Sequence, residues 1–408
     1  MRFMYFLLLL VASIASPAWA DDEKPQVQET VAFTQLAERL RDHPEVRAYV
    51  EKAESQRLYG NGENGLPDPM LFISESQVPI GSSVDFNREQ EQKSFGFKQE
   101  IPGLGIRSAK AGRANAESQK TKMLGDYAYA AMKAKLIATL ANWQRIKEQE
   151  DIYKQQDALF TTERKSLTGR IAANQGSMSQ LTMHHADQTE VELNLSDLNE
   201  QKHEVMAMLT NMLGETPDIT PPDIEPMAWN GDAEKTYPVK IASQDISMAH
   251  HEIDQREAEY GPNFEVQANY GRWHNNDNAG TIMVGVSIPL WASESQKPKL
   301  EGAKANLRAA ESDVDTAKRA VIEKLDHLKA QIETSTKKIE LLHSKQHSLS
   351  QSASAMVREY EAGKADMPSV LKSKRDALSV RASLAAEKAK RLTLIADFNH
   401  YFIEGESK

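Results

Sequence analysis

From Thr281 to Pro289 the chain reads TIMVGVSIP, with Ile282, Val284, Val286 and Ile288 on one face and Thr281, Met283, Gly285 and Ser287 on the other. This period of two predicts a strand, which Pro289 ends. A few residues later the period changes. Apolar positions then recur in steps of three and four: Leu300, Ala303, Leu307, Ala310, Val314, Ala317, Val321, Leu325, Leu328, Ile332, Ser335, Ile339, Leu342, Gln346 and Leu349. The spacing predicts a coiled-coil helix running to about residue 351, roughly 80 Å long at 1.5 Å per residue. Two consecutive steps of four, from Ala317 to Val321 to Leu325, make a stutter that relaxes a left-handed supercoil locally.

Short strands and long helices alternate through the rest of the chain as well. Phe33 to about Tyr59 predicts an amphipathic helix with Leu36, Leu40, Val46, Val50 and Ala53 on one face. It is interrupted at His43-Pro44 and closed by the turn-rich run Gly60 to Pro69. Met70 to Ile80 and Ser94 to Ile101 alternate as strands around a polar stretch, Ser82 to Gln92, and Pro102-Gly103 end the second. Ile106 to about Leu167 predicts a long helix with alanine-rich faces, Thr168 to Gly176 a turn, and Ser177 to Leu213 a return helix stopped by Gly214. A proline-rich connector, Thr216 to Pro238, follows.

The same order then repeats. Tyr237-Pro238 corresponds to His43-Pro44, Gly261-Pro262 to the first turn, and Asn263 to Trp273 to the first strand. Ile288-Pro289 corresponds to Ile101-Pro102, and Lys304-Ala305-Asn306 to Arg113-Ala114-Asn115. Gly363 to Leu371 answers Ala173 to Leu181 at the far turn, and a return helix runs from about Ser369 to Phe402. A period of about 190 residues is a duplicated domain, far longer than a solenoid unit. The expected organisation is therefore a leader (1–20), a first repeat (21–214), a connector (215–236) and a second repeat (237–408). In the first half the two short helices together match the long one in length, so they can stack end to end alongside it.

Composition adds three constraints. Arg2, the apolar run Phe6 to Ile14 and Ala18-Trp19-Ala20 form a secretory leader, with cleavage expected before Asp21. The apolar run is well short of the roughly 20 residues a transmembrane helix needs. No cysteine is present, which excludes disulfides, thiolate metal ligands and lipidation at a cysteine. A net charge of −10 argues against nucleic acid as a partner.

Each half contributes one hairpin, giving four strands of about 9 to 11 residues, the length that crosses an outer membrane when tilted. Four strands cannot close a barrel, and open edges are not tolerated in lipid, so a membrane reading requires oligomerisation. Phe72, Tyr270, Trp273 and Trp291 at strand ends fit interfacial aromatic girdles. They equally fit half-buried residues of a soluble sheet.

The order of leader, short helix, hairpin, Ile-Pro, long helix and short helix, run twice, resembles the TolC-like outer membrane factors, the outer membrane efflux proteins, over essentially the whole mature chain. Local features agree: His43-Pro44-Glu45-Val46, Leu66-Pro67-Asp68-Pro69-Met70, Gln99-Glu100-Ile101-Pro102-Gly103, and Tyr360-Glu361-Ala362-Gly363, which fits a Tyr-x-x-Gly pattern. The resemblance implies a mainly α fold with a small β part. Four strands per chain would complete a 12-stranded barrel in a homotrimer, above a periplasmic α-helical barrel. It further implies a passive exit duct in outer membrane lipid, served by a periplasmic adaptor and an inner-membrane pump, with no enzyme activity and no cofactor. The Leu66–Met70 and Gln99–Gly103 stretches are similar to heavy-metal members of the family, whose pumps are of the resistance-nodulation-division type. That similarity points to metal cations as cargo, with drug efflux and type I secretion as alternatives. The rival from another class is a soluble periplasmic coiled-coil adaptor or scaffold, which would leave four alternating strands without purpose.

In the resembling family the residues after Tyr-x-x-Gly line a constriction at the periplasmic tip, with aspartates further along the helix. Here Tyr360 and Gly363 match, the aspartate positions read Ser369 and Lys372, and Asp366 sits one turn away. Arg170 and Gly176 mark the corresponding turn of the first half. A ring of Asp366 or of Lys372 and a plain solvated turn are the alternatives. No HExxH, Walker loop, nucleophile elbow or dinucleotide fingerprint is present. The pairs His184-His185 and His250-His251 point about 100° apart on a helix, so neither clamps one ion, and solvated histidines with no metal site are expected.

Overall fold

The computed structural model describes residues 33–76, 91–273 and 276–403. The leader, the end of the first expected strand and nearly all of the polar stretch after it lie outside these residues. The first half opens on a helix over 33–39 and a 3-10 turn, Leu40–Asp42. It continues as α1 (Pro44–Glu63), β1 (Met70–Ser76), β2 (Gln92–Ile101), α2 (Ile106–Ala172) and α3 (Met178–Leu213). The second half runs α4 (Tyr237–Ala258), β3 (Asn263–Trp273), β4 (Asn278–Ser287), α5 (Gln296–Glu361) and α6 (Met367–Asn399). The fold is mainly helical, with one antiparallel sheet in the order β1-β2-β3-β4.

The two rods, α2 and α5, have 67 and 66 residues and so are each about 100 Å long. Two short helices pack along each rod, α1 and α3 on α2, α4 and α6 on α5, while α2 also joins α4 and α6. The predicted seam of α5 is what meets these neighbours. Every seam position from Leu300 to Leu349 is buried or half-buried, with Leu325 fully enclosed and Leu328 nearly so.

Element ends depart from the sequence reading where packing overrides local signals. The first helix runs through Gly60 and Gly62 to Glu63 instead of ending near Tyr59. A Cβ on Gly60 would lie 3.2 Å from Ala114 Cβ and 3.3 Å from the Ala111 carbonyl, so the glycine serves close helix approach rather than a turn. Val50, expected on the buried face, is exposed. The long helices overrun their expected ends, α2 to Ala172 and α5 to Glu361, because nothing breaks them before the tight turns at 173–177 and 362–366. The β4 strand is Asn278–Ser287, since pairing with Arg272 recruits Asn278 to Gly280. Return helix α6 begins at Met367, capped by Asp366, and stops at Asn399; Phe402 instead bridges to Thr236. No helix among the described residues is long and apolar enough to cross a membrane.

Two cores meet near mid-length. One gathers Leu40, Leu136, Leu140, Ile146 and Leu209, and the other Val321, Leu325, Ile395, Phe398 and Phe402. Between them the end of the chain is tied back, with the Tyr237 N–H donating to the Tyr401 carbonyl at 2.9 Å. Here His400 stacks on Tyr127 with ring centroids 5.5 Å apart, and Asp397 lies nearby. Burial pushes the His400 imidazole below its ordinary value of 6.5, against the opposing pull of Asp397, and burial pushes Asp397 above its own. A histidine with a depressed folded value binds its proton first in the unfolded chain. Stability is therefore expected to fall as pH drops below about 6.5 toward the folded value, by at most ~1.4 kcal/mol per pH unit. Asp397 acts in the opposite sense at lower pH, where the fold takes up a proton first. Thermal midpoints at pH 7.5 and 5.5 test this: His400→Phe, which keeps a stacked ring without titrating, is expected to flatten the difference.

Candidate functional site

The sheet register assigns each strand residue to a face. One face carries the cross-strand rows Ile73–Phe95–Tyr270–Gly280, Leu71–Phe97–Ala268–Ile282, Gln99–Val266–Val284 and Ile101–Phe264–Val286. Apart from Gln99 and the tyrosine hydroxyl, it is apolar, and it is open: Ile73 is 89% exposed, Leu71 81% and Ile282 79%. From Phe95 to Ile101 this band is about 20 Å tall along the strand at 3.4 Å per residue, and Ile288 continues it past β4. Beyond Ile73 and Phe95 it ends in a charged row, Glu75–Lys93–Arg272–Asn278, with Glu75 and Lys93 3.4 Å apart.

The opposite face is polar. It presents Ser74 with Ser94, Asn269 with Thr281, and Lys98 with Gln267, and the Lys98 Nζ lies 2.7 Å from Glu265 and 3.8 Å from Glu100. Of the four candidate interface aromatics, Tyr270 stands on the apolar face in contact with Phe95, ring centroids 5.7 Å apart. Phe72 and Trp273 stand on the polar face, where Phe72 lies across Gly96: a Cβ there would come within 2.7 Å of its ring. Trp291 is exposed in the turn between β4 and α5. Strand β1 pairs only with β2 and β4 only with β3, so the described sheet has two open edges.

At the other end of the rods the two helical turns meet. Ser177 caps α3 in a capping box with Gln180, and Gly363, at φ 72°, takes the left-handed turn after α5. Gly176 sits so close to Ile171 that a Cβ would lie 2.9 Å from its side chain. Asp366 caps α6: its carboxylate accepts from the Ser369 N–H at 3.2 Å and from the Ser369 hydroxyl. Arg170 reaches across from the first turn to 3.5 Å from Asp366. The Ser369 hydroxyl above all, with Arg170 beside it, holds the Asp366 carboxyl below the ordinary carboxylate value. Thus Arg170, Asp366 and Ser369 are brought together, Tyr360 and Gly363 flank them, and Lys372 stands apart, exposed on α6. Asp366→Ala is expected to cost about 0.5–2 kcal/mol of local stability. The readout is faster amide exchange over the first turn of α6, with the rest of the helix unchanged.

A polar knot above the tip escaped the sequence reading. Glu163 on α2 is paired with Arg375 on α6, and His184 Nε2 on α3 lies 3.9 Å from Glu163; all three side chains are largely buried. His184 Nε2 is 2.9 Å from the Phe160 carbonyl, which can only accept, so this nitrogen carries the proton. The Arg375 guanidinium stacks over the Phe160 ring at 4.4 Å. Gln156 and Gln149 donate to the carbonyls of Arg375 and Ala382, stitching α2 to α6. The expectation of solvated histidines is corrected for His184: the groove between three helices encloses it, while adjacent His185 points outward to solvent. His250 is exposed, and His251 packs over Gly112 beside Asp254.

Residues 239–396 match the family model described as outer membrane efflux protein. No curated protein matches the chain significantly in sequence. Solved structures share its fold almost end to end. The outer membrane protein VceC of Vibrio cholerae is 14% identical with a TM-score of 0.73, covering 92% of this chain and 97% of that one. The open-state MtrE outer membrane channel of Neisseria gonorrhoeae is 14% identical with a TM-score of 0.75, covering 90% and 88%. The CmeC outer membrane channel of Campylobacter jejuni is 11% identical with a TM-score of 0.73, covering 93% and 87%. The chain therefore has the fold of the outer membrane efflux channels.

Proposed function

We propose that this chain is the outer membrane exit duct of a tripartite efflux system. The observation that carries the proposal is the two-faced sheet: an exposed apolar band on one side, a polar face on the other, and two open edges. An apolar face of this extent is unstable against water, and unpaired strand edges are unstable in lipid. Three copies joined edge to edge remove both problems, with 12 strands enclosing a polar lumen and facing lipid outside. The rods then extend from the barrel into the periplasm, and Tyr270 and Trp291 are the candidates for the membrane interface. The twofold run of elements supports a duplicated unit, and the relatives of like fold are outer membrane channels.

The duct works passively, engaging a periplasmic adaptor and an inner-membrane pump of the resistance-nodulation-division type, and Tyr360, Gly363, Asp366, Ser369, Lys372, Arg170 and Gly176 are its candidate gate region. Metal cations as cargo rest on the similarity of the Leu66–Met70 and Gln99–Gly103 stretches to heavy-metal members. A soluble adaptor or scaffold is disfavoured by the exposed apolar band. Native mass spectrometry of detergent-extracted membranes tests the assembly: a trimer is expected. A monomer or dimer stable in buffer without detergent would return the soluble coiled-coil reading.

A further inference from the structure

Both junctions between a strand and a rod leave large apolar side chains uncovered. After β2 come Pro102 and then Leu104, which is 93% exposed; after β4 come Ile288, Pro289, Leu290 and Trp291, with Leu290 74% exposed. The second junction continues the apolar face of the sheet without a break. Its backbone is wound into turns, the Ser295 N–H donating to the Trp291 carbonyl at 3.0 Å and the Lys297 N–H to the Ala292 carbonyl at 2.8 Å. At about 1.5 Å per residue Lys297 therefore stands only ~9 Å beyond Trp291 along the rod.

Lys297 and Lys299 lie in the first turn of α5, both exposed, and among the described residues neither is in an ion pair. Acids at this level are engaged elsewhere. Lys304 holds Glu301 at 3.2 Å, and Arg256 holds Glu259 at 2.9 Å just past the end of α4, which the pairing of Asn263 with Ser287 sets level with the start of α5. Within the chain itself this is a poor place for two cations. A helix start carries partial positive charge, and this first turn contains no aspartate or glutamate to offset it. An anion from outside the chain relieves the repulsion.

We propose that Leu290, Trp291, Lys297 and Lys299 form a binding surface for anionic phospholipid, with acyl chain against the leucine and indole and phosphate against the two ammonium groups. The inference rests on the exit-duct reading, which puts lipid beside the apolar band, and it adds the class of lipid. The features follow the order of a bilayer from its core outward: the band meets hydrocarbon, the indole sits at the boundary, and the lysines reach headgroups from just beyond it. A headgroup layer is roughly 5–7 Å deep, so a lysine stem spans the remaining gap. Zwitterionic headgroups carry their own cation beside the phosphate, so net-negative headgroups are the ones favoured.

The test is native mass spectrometry of the detergent-extracted, delipidated full-length protein with added phosphatidylglycerol or with phosphatidylcholine of the same acyl chains. The wild type is expected to retain phosphatidylglycerol over phosphatidylcholine by about fivefold or more. Lys297→Gln/Lys299→Gln is expected to retain the two lipids equally. Lys338→Gln/Lys345→Gln removes two exposed charges about 60 Å further along the same rod and is expected to keep the wild-type preference. The substituted side chains are all on the surface, and oligomer mass with circular dichroism verifies that each variant is folded. Equal retention of the two lipids by the wild type, or retention of neither, overturns the proposal. So does a preference that survives in Lys297→Gln/Lys299→Gln, or one lost equally in the distant pair. The same spectra separate this inference from the reading beneath it: a trimer without lipid preference sinks the lipid surface alone, whereas a monomer or dimer stable without detergent sinks both.

Discussion

Val284→Arg is expected to remove the protein from the outer membrane as an assembled species. Val284 lies in the third of the four apolar rows, near the middle of the band once Ile288 is included, and is 64% exposed. An arginine facing lipid at mid-depth costs about 2–4 kcal/mol, so in the proposed three-chain barrel the three copies would cost roughly 6–12 kcal/mol. That is comparable to the whole stability of a typical domain, about 5–15 kcal/mol. The neighbouring substitution Met283→Arg supplies the control, because Met283 stands on the polar face beside Gln267. It is expected to insert and assemble. Both variants are read by membrane fractionation and native mass. Equal assembly of the two would remove the distinction between a lipid face and a lumen face, and with it the barrel.

Arg375→Leu and Glu163→Leu are each expected to destabilise the joint between α2, α3 and α6 by about 3–5 kcal/mol. Removing one partner leaves the other as an uncompensated buried charge beside His184, and this desolvation dominates the loss. The double variant Glu163→Leu/Arg375→Leu removes both charges and is expected to recover much of the deficit. The cycle is measured by chemical unfolding, with amide exchange along α3 and α6 locating the effect. If the single variants cost no more than an exposed pair, under about 1 kcal/mol, the knot is a surface ion pair and does not hold the helices. The outcome bears on the tip, because the same three helices lead directly into the turns bridged by Arg170 and Asp366.

Much of the molecule was legible in the order of its residues. The seam of α5, the alternation in β2 and β4, the glycines at 214 and 363 and the serine at 177 each act within a few positions, where backbone geometry alone sets the period. Even the two-faced sheet was partly visible, in Ile282, Val284 and Val286 and in Phe95 and Phe97. Strand ends were less legible, because alternation does not say how far a partner strand extends. Phe72 and Trp273 show the limit: aromatic character places a residue near an interface by composition, yet the register turns both to the polar face.

What the sequence by itself determined is therefore the inventory and its order: two long rods, four short helices and two hairpins. What only the tertiary structure decided is which side meets which. Glu163 and Arg375 stand 212 residues apart, and no local period links them. Their pairing, the enclosure of His184 and the single continuous apolar band arise from helix packing and strand register. Those are set by the shape and charge of surfaces brought together from distant parts of the chain, whereas a helix or strand is set by neighbours a few residues away.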